Sequence, residues 1–309
     1  MIIVYGEILV DTFPSNKGRE VYVGGAPFNM SVAATSMGSQ VLFHGNIGND
    51  EYGKKIQEYF LSHNLDDSGL RVDPKRKTTA SEVVLHHGER EFTFLRDDTA
   101  DDVFDEDSLD DIASGDIVHL GSLMLSSERG RKFFHEVIDY AKAQKKVLSF
   151  DINFRSDIFK NKEEALAVYD EVYPKMDIVK FSEEELALFT EEKKVEDALP
   201  KLLPGPKMIL VTLGSRGSLA YTNNQIVRVP SVPVHVVDTT GAGDCFYGTF
   251  LSQVDSFGLQ ELSFLPSLLE STLRFSNIAG ALATTKKGAL SGIPTYKEVE
   301  RYLEEHPKK

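Results

Sequence analysis

Short apolar runs alternate with amphipathic stretches along most of the chain, and no other feature limits its fold so strongly. Residues 2–5, 41–44, 116–120, 147–151, 177–181 and 208–213 read as buried strands. Helical patterns lie between them, among them 51–63, 127–143, 162–175 and 183–190. This βαβα order predicts an α/β architecture, a mostly parallel sheet covered by helices. Ligands of such sheets sit at the carboxyl ends of the strands. The 309 residues set a soft prior of about two domains, met equally by one large α/β domain with an appendage. A chain of this length buries a full core without disulfide staples.

Two stretches depart from the rhythm. Residues 8–23 offer short strands with little helix potential, and 78–96 reads as a hairpin turning near Gly88 and Glu89. The alternation in EVVLHH and EFTFLR is that of strands with one covered face. It puts Phe92 and Phe94 on the same side. Paired into one small sheet, the two stretches would form a lid over a cleft; unpaired, they are unrelated hairpins. The acidic run 97–111 lacks the central Gly and final Glu of an EF-hand loop, so it reads as a solvated loop leading into a helix. Residues 48–55, GNDEYGKK, approach a Walker A loop but lack the terminal hydroxyl that Mg²⁺ requires. They read instead as a helix start capped by Asp50.

Charge narrows the function. With 34 basic and 48 acidic residues, the net charge is −14. Such a surface repels nucleic acid and anionic lipid. A phosphate-bearing ligand would have to be held locally, by backbone N–H groups, helix N-termini or bound cations. Cys245 is the sole cysteine, so an intramolecular disulfide and a cysteine-built metal site are excluded, and a reducing cytoplasm is expected. The opening MIIVYGEILVD turns polar too early for a signal peptide or membrane span.

Residues 234–251, VHVVDTTGAGDCFYGTFL, carry the chemistry. They read as a strand ending at Val237, a small-residue turn, and an apolar helix. Glycines let a ligand approach the backbone. The first N–H groups of the helix, aided by its dipole, would bind an anion without Lys or Arg. Asp244 follows the turn directly. In a phosphoryl transferase it would take the proton of an attacking hydroxyl; equally, an Asp simply favours a positive helix end. A dinucleotide fingerprint is incomplete here, because Phe246 occupies the third Gly position.

DTTGAGD at 238–244 closely resembles the signature of ribokinase-like (PfkB-type) sugar kinases, with Thr249 where a smaller residue is usual. GGAPFN at 24–29 resembles the family's sugar-binding motif, and VTLGSRG at 211–217 its nucleotide-binding strand and turn. Lys287-Gly288-Ala289 and Ile293-Pro294 match its closing element. The matches run in family order along nearly the whole chain. The resemblance implies a ribokinase-like three-layer α/β/α fold, a single kinase domain over 1–309 with a discontinuous β lid from 8–23 and 78–96. It implies Asp244 as catalytic base and the amides of Gly241, Ala242 and Gly243 as anion hole. Asp11, Gly25 and Asn29 would contact sugar hydroxyls. Thr212, Gly214 and Gly217, with Gly243, would line the nucleotide, and Asn277 would lie near the adenine. Glu185 would organise Mg²⁺ through water, with Ser182 standing where the family usually has Asn. Carbonyls around Asp238, Thr240, Ala283 and Gly288 correspond to a monovalent-cation (K⁺) site.

FDINFR at 150–155 resembles the fructokinase and keto-deoxygluconate kinase pattern, with Ile152 replacing Pro, and adds Asn153 and Arg155 to the substrate side. Ala26 and Pro27 stand where phosphofructokinase-like relatives carry Lys, which favours an unphosphorylated sugar. Together with Lys180-x-Ser182-x-x-Glu185, the resemblance points to transfer of the ATP γ-phosphoryl to fructose, giving fructose 6-phosphate. Keto-deoxygluconate, ribose and nucleosides are the alternative acceptors. The alternative of another class is a non-catalytic sugar sensor. The expected partners are ATP and a small sugar, and an apolar lid face at 83–85 would allow a homodimer.

Overall fold

The computed structural model describes residues 1–15, 18–86, 89–155, 158–159 and 161–307; the side chains of Ser15, 83–86 and 89–92 lie outside the described set. The expected lid contacts of Phe92 and the dimer face at 83–85 therefore fall outside it too.

The strands are β1 (Ile2–Tyr5), β2 (Leu9–Ser15), β3 (Gly18–Gly24), β4 (Val41–Gly48), β5 (Leu70–Asp73), β6 (Ala80–His86) and β7 (Glu89–Leu95). They continue with β8 (Ile117–Leu120), β9 (Val147–Asp151), β10 (Ile178–Ser182), β11 (Met208–Thr212), β12 (Ser218–Thr222) and β13 (Gln225–Val229). The main helices are α1 (Ala26–Ser36), α2 (Glu51–Ser62), α3 (Glu128–Ala143), α4 (Lys162–Val172) and α5 (Glu183–Thr190). After them come α6 (Val195–Ala198), α7 (Ala242–Phe257), α8 (Leu259–Phe264), α9 (Pro266–Ala283) and α10 (Tyr296–Glu305).

Nine strands form one sheet in the order β13-β12-β11-β10-β9-β8-β1-β4-β5. Its pairings are parallel from β5 to β11, and β12 and β13 close one edge as an antiparallel hairpin. The β1 sequence IIVY is buried throughout, the continuous apolar run of a parallel strand covered on both faces. Successive side chains go to opposite layers. Ile3 and Tyr5 join the core under α3, α4 and α5, whereas Ile2 and Val4 join the core under α1, α2, α7 and α9. The result is three layers, α/β/α. Phe28 belongs to the second core, stacked on Phe60 at 5.2 Å.

The two stretches outside the rhythm do pair. Val10, Asp11 and Thr12 lie parallel to Ala80, Ser81 and Glu82, completing a second sheet ordered β3-β2-β6-β7. Asp50 caps α2 as expected, accepting from Gly53 N at 2.8 Å.

Three expectations are corrected. The strand expected to end at Val237 does not form: β13 ends at Val229, and Val236 and Val237 are exposed with no ladder. The helix expected over 162–175 stops at Val172 and finishes as a tighter turn at Tyr173–Lys175. Pro174 cannot donate to a continuing helix. The acidic run is not wholly solvated. Asp101 is buried and accepts from Arg96 Nε at 2.6 Å, from Thr99 Oγ1 at 2.6 Å and from the Thr79 hydroxyl. Thr79 and Arg96 flank the β6–β7 hairpin, so one carboxylate pins both of its ends to the body. No described helix is long and apolar enough to cross a membrane.

Replacing Asp101 by Ala would leave the Arg96 guanidinium buried without its partner. The expected cost is roughly 3–5 kcal/mol, read as a lower urea midpoint, with faster proteolytic cleavage in the hairpin. An unchanged midpoint would show that the pair pins nothing.

Candidate active site

The turn before α7 is built around Gly241, whose φ is 77°. A Cβ there would lie 2.9 Å from Ala289 Cα, so only glycine fits the left-handed turn against its neighbour. No side chain caps α7. The Ala242 N–H is already used within the turn, donating to Thr239 O at 3.2 Å. Among the described residues, the amides of Gly241, Gly243 and Asp244 make no such bond, so these three, rather than the expected 241–243 set, are the N–H groups open to an anion.

Beside this turn lies a cavity of about 430 Å³, within the range of small-molecule sites. Asp11, Gly25, Asn29, Asn153, Arg155 and Asp244 all line it. The structure thus brings together the expected base and every residue expected on the substrate side. A larger open groove of about 1090 Å³ runs past Asp50, Phe94 and Asp98 and holds none of these groups.

Electrostatics in the cavity are set by burial. Desolvation pushes the Asp244 carboxyl above its ordinary value; Asn29, Lys180 and Arg155 pull it back, and Glu185 adds to the rise. Burial also lifts Asp11 to about 6, with the Asp244 charge adding to the rise and Arg155 opposing it. Arg155 donates to Phe154 O at 3.3 Å, and no described carboxylate lies within ion-pair distance of it. Asn29, expected to face sugar hydroxyls, spends its amide N–H on Asp244 Oδ2 at 2.8 Å.

Two residues had no site role assigned from the sequence. Glu7 follows β1, is 3 % exposed, and is lifted by burial to about 8; its Oε2 has no hydrogen-bond partner. A charge wedged between the apolar runs IIVY and ILV, at a strand's carboxyl end, was the signal for it. Lys180 on β10 donates to both oxygens of Asp151, at 2.6 and 2.7 Å, and both residues are buried. Burial alone would discharge Lys180, but Asp151, Glu185 and Asp244 outweigh it and hold the ammonium above its usual value. Its Nζ would stand 3.6 Å from a Cβ placed on Gly243. A fixed positive charge therefore stands behind the Gly243 backbone.

Glu185 serves the backbone. Its two oxygens accept from Phe154 N and Ser182 N, each at 2.7 Å, and Ser182 returns the bond as the cap of α5. Each oxygen keeps a second lone pair, so the residue still fits a metal-bound water. No group of three or more potential ligands occurs among the described residues; a divalent ion would rest on substrate phosphates and water, as Mg²⁺ usually does.

On the nucleotide side, Thr212 ends β11, and Gly214 (φ 58°) and Gly217 (φ 97°) frame the turn after it. Asn277 does not face that cleft with its amide N–H₂, which donates to Val229 O at 3.1 Å and Pro230 O at 3.3 Å. The Asp238 carboxylate accepts from Thr240 N, Thr240 Oγ1 and Gly288 N, holding the 238–240 and 288 segments side by side. The Ala283 carbonyl is packed against Gly292, where a Cβ would fall 2.0 Å away.

Comparison with known proteins gives the family. Residues 2–296 match the family model described as pfkB family carbohydrate kinase. The chain is 35 % identical to a probable fructokinase-2 of Arabidopsis thaliana, over 98 % of this chain and 95 % of the relative. A crystal structure of a Xylella fastidiosa fructokinase with bound ATP superposes with a TM-score of 0.91 at 29 % identity, covering 99 % of both chains. A Vibrio cholerae fructokinase double mutant, in a form with bound fructose, ADP and potassium ion, superposes with a TM-score of 0.87 at 31 % identity, covering 98 % of both.

If the Lys180–Asp151 pair serves the anion hole, Lys180→Met should lower both stability and turnover, the former by roughly 3–5 kcal/mol because Asp151 is left buried and unpaired. The double variant Lys180→Met/Asp151→Leu should recover the urea midpoint but not kcat. Recovery of both would make the pair purely structural.

Proposed function

Because the chain belongs to the pfkB family of carbohydrate kinases, we propose that it transfers the γ-phosphoryl group of ATP to the 6-hydroxyl of fructose. The observation that supports this reading most is Asp244, a half-buried carboxylate at the uncapped N-terminus of α7, opening on a cavity sized for a small molecule. Fructokinases among the similar proteins supply the sugar.

In this reading Asp11, Asn29, Asn153 and Arg155 hold the sugar. The Asp244 carboxylate takes the proton of the attacking hydroxyl as its oxygen bonds the γ-phosphorus. The bond from that phosphorus to the bridging oxygen breaks, and ADP leaves. The amides of Gly241 and Gly243 stabilise the oxygens of the moving group, with Lys180 behind them. Bound with the nucleotide, Mg²⁺ would neutralise phosphate charge, and Glu185 would hold it through water. The carbonyls of Asp238, Thr240 and Gly288, aligned by the Asp238 carboxylate, would hold a potassium ion, with Ala283 at the edge of that set. Thr212, Gly214 and Gly217 would line the nucleotide, Asn277 supporting that wall from behind. The small β2-β3-β6-β7 sheet would act as the lid that excludes water.

A coupled ADP-release assay over a sugar panel tests this reading. Fructose should give the highest kcat/KM. A preference for keto-deoxygluconate would instead make Arg155 a carboxylate clamp, and ADP release independent of every sugar would favour a sensor. Asp244→Asn should cut kcat by about 10²–10⁴-fold, the usual worth of a general base, while fructose still binds by calorimetry. A near-normal rate in that variant would remove Asp244 as the base.

A further inference from the structure

Asn29 has a second relation to the site that its place in the sugar-binding motif does not explain. It lies in the first turns of α1, its N–H bonded to Gly25 O at 2.8 Å. The side chain is 5 % exposed, and its Nδ2 donates to Asp244 Oδ2 at 2.8 Å. An ionised carboxylate only accepts, so the amide must turn its N–H₂ toward Asp244. That leaves Asn29 Oδ1 buried without any hydrogen-bond partner, on a residue that lines the sugar cavity. Among the described residues, no other side chain hydrogen-bonds the Asp244 carboxylate.

The bond joins two rigid elements. One turn beyond Asp244, a Cβ on Gly248 would fall 2.2 Å from Met30 O and 2.9 Å from Ala33 Cβ. α1 and α7 therefore meet backbone to backbone directly beneath the Asn29–Asp244 contact. Neither side chain hangs from a loop, and the donor–acceptor distance is set by helix packing.

We propose that Asn29 is a positioning residue for phosphoryl transfer. Its planar amide accepts a sugar hydroxyl at Oδ1 and holds Asp244 Oδ2 through Nδ2, so that sugar occupancy fixes the orientation of the base and leaves Asp244 Oδ1 to the reacting hydroxyl. Leaving a buried acceptor unmade costs about 1–3 kcal/mol, so a sugar hydroxyl that reaches Oδ1 is favoured. This inference rests on Asp244 being the base of a sugar kinase.

The test is a kcat-against-KM comparison with pH profiles at saturating ATP and fructose. Other charges also face Asp244: Lys180 from β10, Arg155 after β9, Glu185 from α5, Asp151 from β9, Asp11 from β2 and Glu7 after β1. All of them stay in place in the variants. Asn29→Ala should lower kcat by roughly 10²-fold, the cost of a misplaced reacting group. The acid limb of kcat should move to higher pH, since Asp244 works ionised and loses a donor that favours that state. Asn29→Asp should move the limb further, two carboxylates in contact being unable to ionise together. If Asn29→Ala raises KM alone and leaves kcat and its acid limb unchanged, Asn29 is only a sugar contact and the inference falls.

A variant that does not fold leaves a measurement on the unaltered protein. The Asn29 side-chain NH₂ resonances should follow the Asp244 titration and shift when fructose binds; resonances that answer to neither overturn the coupling. Failure of the kinase reading is seen separately, as Asp244→Asn retaining its rate.

Discussion

The carboxylate proposed as the base must be ionised to act, yet it sits where ionisation is expensive, and much of its surroundings opposes that cost. Asp244 is half-buried in the cavity wall, and desolvation raises its carboxyl above the ordinary value, against the ionised form. The chain opposes this from three directions: a hydrogen bond from Asn29, the ammonium of Lys180 and the guanidinium of Arg155. The uncapped start of α7 contributes its positive end as well. Each of these groups belongs to a different element, so the ionisation state of one carboxylate depends on the docking of α1, β10, the segment after β9 and α7 together.

Topology explains how such distant residues meet. β1, β9 and β10 run parallel, so their carboxyl ends open on the same edge of the sheet. Glu7, Asn153 and Arg155 follow such ends, while Asp151 and Lys180 stand at or near them. The small sheet contributes Asp11 from β2, and its hairpin is pinned near the same edge through Asp101. The Gly248 contact brings α1 and α7 close enough for Asn29 to reach Asp244. Any larger residue there would separate the donor from the acceptor before it touched the chemistry.

What was legible in the sequence follows from which forces act locally. Strands buried on both faces announce themselves as short apolar runs, so β1, β8, β9, β10 and β11 could be placed closely. The small sheet could be suggested by its alternation, but its pairing depends on contacts across some seventy residues, which periodicity does not carry. Residues 234–237 looked like a strand because they are apolar, yet no neighbour offers them a ladder, and Val236 and Val237 remain exposed. Asn277 and Glu185 were found as polar residues in motifs. Their bonds to Val229, Pro230, Phe154 and Ser182 are backbone contacts made by tertiary packing, invisible in residue identities. Lys180 and Asp151 each had a place in a pattern, but only the parallel pairing of β9 with β10 makes them partners.

The net charge of −14 acquires a more specific meaning from this arrangement. A negative molecule that handles phosphate cannot rely on its general field, which repels the ligand. Here the favourable potential is confined to one edge of the sheet, where free amides, Lys180 and Arg155 converge in a poorly solvated space. Charges are felt more strongly there than on the screened surface. Glu7, Asp11, Asp151, Glu185 and Asp244 also crowd that edge, so its positive groups are largely offset by acidic side chains. A phosphate group entering this region meets a balance rather than an excess of positive charge. The uncharged amides of Gly241 and Gly243 are therefore well suited to the final discrimination: they favour an anion at short range without adding a side chain that the carboxylates would neutralise.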